Sequence, residues 1–99
     1  MTHPADTFSI EGEFSIYRAA ELHPLLLQWV ASASAGTTLQ LDLAQVSEID
    51  SAGLQLLLSA ASTAQTQQCV LRIVAASDAV VQILQLTQLA HWLPAQPHP

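Results

Sequence analysis

Ninety-nine residues, 51% of them hydrophobic and only 10% charged, make one domain that can bury a core and still leave apolar side chains for a partner interface. Two basic residues, Arg18 and Arg72, against eight acidic ones give a formal charge of −6, which excludes a nucleic-acid surface, since that needs the reverse balance. The single cysteine, Cys69, excludes an internal disulfide and has no metal-ligand spacing around it, so it reads as a small core residue.

Met1-Thr2-His3-Pro4-Ala5-Asp6 lacks the basic and then apolar pattern of a secretory signal. Nowhere does the chain approach the roughly 18 consecutive apolar residues of a membrane-spanning helix. The expectation is a cytoplasmic protein with no stable membrane insertion.

Phe8 to Ile16 alternates apolar and polar on either side of Gly12, which predicts two short antiparallel strands joined by a tight turn. Leu22, Leu25, Leu26, Trp29, Val30 and Ala33 recur at helical spacing, so a first helix is expected over residues 19–35, with Gly36 as its stop. Pro24 is comfortable only in a first turn, so either this helix starts near Ala20 or it bends there. Leu39-Gln40-Leu41-Asp42-Leu43 alternates strictly and predicts a strand, followed by a connection through Val46 and Ile49.

A second helix is expected from Ala52 to about Gln67. Leu54, Leu57, Leu58 and Ala61 form its core stripe, while Leu56, Ala60 and Thr63 fall off it and hint at an interface. Val70-Leu71-Arg72-Ile73-Val74 has the near-continuous apolar character of a central strand. Ser77 and Asp78 open a third helix reaching about Thr87, and Ala90-His91-Trp92-Leu93 reads as a short last strand. Strands alternating with helices imply an α/β domain with a mixed, mostly parallel sheet and about three helices. The expected organisation is a flexible tail over 1–6, the domain over 7–94 and a disordered tail over 95–99. No dinucleotide or P-loop fingerprint is present, and no cofactor is expected.

The most informative run is Ile49-Asp50-Ser51-Ala52-Gly53-Leu54, where a strand-like stretch ends and a helix begins. A serine there can cap the helix. Alternatively it can carry a phosphoryl group, whose charge of about −1.5 to −2 the unpaired amides and dipole of a helix start would stabilise. Asp50 beside Ser51 also suggests a base and nucleophile, but none of the four histidines, His3, His23, His91 and His98, is placed to complete such a set, and no zinc spacing exists. Trp29 and Trp92 fall on expected buried faces.

The order of elements, with Leu41-Asp42-Leu43, Val46 and the Asp50-Ser51-Ala52-Gly53-Leu54 run, resembles the STAS family of anti-sigma factor antagonists and their relatives, over about Phe8 to Leu93. The resemblance implies that Ser51 is a phosphoacceptor, that Asp50 is its acidic neighbour and that Gly53 lets a partner backbone approach. It further implies a Ser/Thr-kinase-type protein partner, released on phosphorylation, and a phosphatase that restores binding. Many antagonists carry Asp where this chain has Ser15, and the segments Phe14 to Leu22 and Asp50 to Leu58 look more like short STAS proteins found with chemotaxis and two-component signalling genes.

The reading that follows is a non-enzymatic, phospho-regulated interaction module. Ser51 is its acceptor, and Asp50, Ala52, Gly53, Leu54 and Leu56 shape the site or contact the partner. The alternative is a constitutive accessory subunit similar to the STAS component of bacterial phospholipid transporters, bound to a transport ATPase. An enzyme built on Asp50 and Ser51 ranks far below both.

Overall fold

The computed structural model describes residues 7–89. In chain order these form β1 (Thr7–Phe14), α1 (Ile16–Ala31), β2 (Thr38–Ile49), α2 (Ser51–Thr66), β3 (Val70–Ala76) and α3 (Asp78–Leu86). Among the described residues the sheet has three strands in the order β1-β2-β3, and both pairings are parallel. Each parallel step needs a helical crossover, supplied by α1 and then by α2. Two like-handed crossovers stepping the same way across a sheet put their helices side by side, and α1 and α2 do pack on one another.

The expected N-terminal antiparallel hairpin is not formed. Gly12 has the positive φ of 77° that a tight turn would use, but the chain spends it inside one continuous strand, where Gly12 pairs with Val46 of β2. Positive φ serves bulges as well as turns, and this strand runs through an irregular register. Between Asp42 and Gln45, and again between Val46 and Glu48, β2 has one residue more than β1 opposite it. These extra residues explain why the strict alternation Leu39, Leu41, Leu43 gives way to Val46, all four of them buried. They also explain why β2 continues to Ile49 rather than ending at Leu43.

Ile10 and Phe14 from β1, the four buried residues of β2, and Ile73 from β3 meet Leu22, Leu26 and Val30 of α1 in one core. Val80 and Leu84 of α3 belong to the same cluster. The Phe8 ring lies 5.2 Å from that of Trp29, so the tryptophan serves packing, as expected. Cys69 is buried as a small core residue, its thiol donating to the Ser34 carbonyl at 3.2 Å.

The helices differ in detail from the sequence expectation. α1 starts earlier, capped by Ser15, and runs through Pro24, which lies on its exposed side; it ends at Ala31, before Ala33 and Gly36. Leu25, expected inward, is 50% exposed. In α2 the buried set is Gly53, Leu54, Leu56, Leu57, Ala60 and Ala64, so Leu56 and Ala60 are core residues and not an interface stripe, while Leu58 and Ala61 are only half-buried. The reason is that α2 packs against α1, β2 and β3 together, which covers a wider face than one helical stripe. α3 begins as expected, with the Ser77 hydroxyl accepting from the Val80 amide. The proposed last strand at Ala90 to Leu93, Trp92 and the two tails lie outside the described residues.

Candidate functional site

Asp50, not Ser51, caps α2. Its backbone is extended, and its Oδ1 accepts from the amides of Ala52 at 3.0 Å and Gly53 at 3.1 Å. Those are two of the first-turn donors that a helix leaves without intrahelical partners. Ser51 follows as the first helical residue and is exposed. Both Asp and Ser are strong capping residues, and here Asp50 holds the position.

The other oxygen of Asp50 serves a different helix. Oδ2 accepts from the Ile16 amide, the first of α1, at 3.1 Å, across 34 residues of sequence. One carboxylate therefore binds the starts of α1 and α2 together. The Asp50 amide in turn points to the Phe14 carbonyl at 3.4 Å, which closes the corner where β1 and β2 end. Ser15, buried between these elements, accepts from the Tyr17 amide at 3.3 Å and completes the first turn of α1.

Gly53 lies at the centre of this corner. A Cβ placed there would stand 2.3 Å from the Phe14 carbonyl oxygen and 3.0 Å from an Ile49 side-chain carbon. The glycine is needed for a close approach within the chain, between α2 and the end of β1. Leu54 and Leu56, at 9% and 4% exposure, face the core and present no contact surface. The exposed groups around the corner are instead Ser51, Ile16 at 65% and Tyr17 at 84%.

Ile16 and Tyr17 lie before the stretch from Ala19 that the helical periodicity predicts, and α1 takes them in because Ser15 caps it. Extension of that periodicity backward along Leu26, Leu22 and Ala19 to a capping Ser15 is the available signal.

The local field is acidic. Glu13 and Glu48 are paired across β1 and β2 immediately before the corner. Arg18 lies along β1: its guanidinium donates to the carbonyls of Glu11 and Glu13 and lies 3.7 Å from Glu21. The Ile16 amide, then those of Gly53 and Ala52, hold the Asp50 carboxyl below its ordinary value of 3.8. Because the folded value is the lower one, this contribution to stability is complete above the unfolded value and is lost as pH falls through the folded one. Asp50→Asn should therefore flatten the decline of the urea midpoint at the acid end of a series from about pH 6 to 3. An unchanged acid slope would show that Asp50 is not bound as an anion.

With both carboxylate oxygens committed to backbone amides, Asp50 is built as a structural acceptor and not as a base for Ser51. Among the described residues no three His, Cys, Asp or Glu side chains are grouped to hold a metal ion. No helix among them is long and apolar enough to cross a membrane.

A small parallel α/β domain whose polar corner joins two helix starts at an exposed serine is the class defined by this fold and site. The family model described as "Mlab, STAS domain" matches residues 1–95, and the chain belongs to the STAS domain family. Among solved structures it is similar to the anti-sigma factor antagonist SpoIIAA in its unphosphorylated form. That match has a TM-score of 0.74 at 17% identity and covers 93% of this chain and 79% of that one. No curated protein matches the chain significantly.

Proposed function

We propose that this STAS domain is a non-enzymatic interaction module of the bacterial cytoplasm, switched by phosphorylation of Ser51. A protein partner would dock on the corner formed by the starts of α1 and α2, and a phosphatase would reset it. The observation that carries the reading is the placement of an exposed hydroxyl at the first position of α2 beside the exposed Ile16 and Tyr17, so that modification and contact share one surface. Likeness to SpoIIAA, described as an anti-sigma factor antagonist with an unphosphorylated form, supports the same reading.

In the modifying step the Ser51 Oγ forms a bond to the γ-phosphorus of ATP as the bridging P–O bond to the β-phosphate breaks. ADP leaves, and the hydroxyl proton passes to a base of the partner kinase. The new charge of about −1.5 to −2 stands on the residue next to the Asp50 carboxylate. Like charges that close oppose any partner face fitted to the unmodified corner.

The test is quantitative co-purification from the native cell with tagged chains. Wild type and Ser51→Ala should retain the same partner, while Ser51→Asp should lose about tenfold or more, as a like-charge juxtaposition costing several kcal/mol requires. Ser59→Asp, exposed eight positions along the same helix, should retain it. Equal retention by Ser51→Asp and wild type would remove the switch.

A constitutive subunit bound to a transport ATPase is the second reading. Its support is that Asp50 already occupies the Ala52 and Gly53 amides, so the corner is complete without a phosphoryl group. Retention of an ATPase by every Ser51 variant would favour it.

A further inference from the structure

Asp50 divides its two oxygens between two helices, and that division has a consequence for regulation. Oδ1 holds the Ala52 and Gly53 amides of α2, and Oδ2 holds the Ile16 amide of α1. The other amides at the start of α1 have partners within their own segment: Tyr17 donates to the Ser15 hydroxyl, and Arg18 and Ala19 donate to the Ser15 carbonyl. Asp50 is thus the residue that reaches from the modified helix to the neighbouring one.

A phosphoryl group on Ser51 would bring three strong acceptor oxygens to the first turn of α2, where the amides and helix dipole favour the larger negative charge. The Ala52 and Gly53 amides cannot serve the phosphoryl oxygens and Asp50 Oδ1 equally. Two anions drawn to the same donors also repel each other.

We propose that Asp50 is the coupling residue of the switch: a phosphoryl group on Ser51 takes the α2 amides from it, and the displaced carboxylate releases the Ile16 amide at the start of α1. Phosphorylation then changes the corner in two places. It adds charge at Ser51, and it frees the backbone amide of the exposed Ile16 that leads α1. This inference rests on the reading of Ser51 as a phosphoacceptor, but its physical content can be measured without knowing the kinase or the partner.

The experiment uses the full chain with phosphoserine installed at position 51 during synthesis, compared with the unmodified chain by NMR-detected amide hydrogen exchange. The Ile16 amide should exchange about two- to tenfold faster in the phosphorylated chain, the protection that one hydrogen bond gives, while Ala52 and Gly53 stay protected. Asp50→Asn without phosphate is the second arm. Its one remaining carbonyl oxygen can stay on α2, which leaves an amide donor facing the Ile16 donor, so Ile16 alone should lose protection.

Unchanged Ile16 exchange in the phosphorylated chain would overturn the coupling, as would loss of Ala52 and Gly53 protection with Ile16 intact. Either result would leave the co-purification outcome for Ser51→Asp untouched. Conversely, failure of the co-purification test would leave the exchange measurement valid, so the two ideas fail separately.

Discussion

Gly53→Ala should lower the stability of the domain by about 1–3 kcal/mol, the range for forcing a methyl group into a filled site. The added Cβ would lie 2.3 Å from the Phe14 carbonyl oxygen, and that atom belongs to the backbone at the end of β1. A flexible side chain could swing aside, but here either α2 or the strand end must move. The movement would also disturb the Gly53 and Ile16 amides that share Asp50. Trimming the Phe14 ring should not rescue the variant, because its Cγ is the looser contact at 3.2 Å. Urea unfolding of Gly53→Ala checks the loss: a lowered midpoint is expected, and a midpoint equal to that of wild type would contradict the backbone clash.

Phe14→Ala should cost more, about 3–5 kcal/mol, the usual loss for removing a buried aromatic side chain and leaving a cavity. Phe14 is fully buried, the last residue of β1, and the neighbour of Gly53 and of the Asp50 amide. Domains of this size have roughly 5–15 kcal/mol in total, so the variant should be partly unfolded at modest temperature. The thermal midpoint should fall by about 4–8 °C for each kcal/mol lost. A midpoint within a few degrees of wild type would mean that the corner is not anchored in the core as described.

Much of the architecture is readable in the residues because local signals and tertiary demands agree there. Strict alternation over Leu39 to Leu43, the apolar run after Cys69 and the Ser77 cap each led to the element that forms. Where they failed, one local signal served two structures. A glycine with positive φ can make a hairpin turn or fit a strand to an irregular register, and Gly12 does the second, keeping β1 paired with the bulged far half of β2. In α2, helical periodicity marks one stripe, yet contact with α1 and two strands buries Leu56 and Ala60 as well.

The candidate site was legible as a segment but not as a constellation. Asp50-Ser51 stands out in the chain as a helix start. That its carboxylate also caps α1 could not be read locally, because the Ile16 amide is 34 residues away and is brought near by the parallel pairing of β1 with β2. For the same reason the crowding that demands a glycine at position 53, which comes from Phe14 of the same chain, has no local signal.

The most direct test of the central claim is peptide and intact mass spectrometry of the protein isolated from its native cell, with and without phosphatase treatment. The switch predicts a phosphatase-sensitive increment of one phosphoryl group, mapped to Ser51, whose occupancy changes with growth conditions. Ser51 unmodified under all conditions, with the partner still bound, would contradict it.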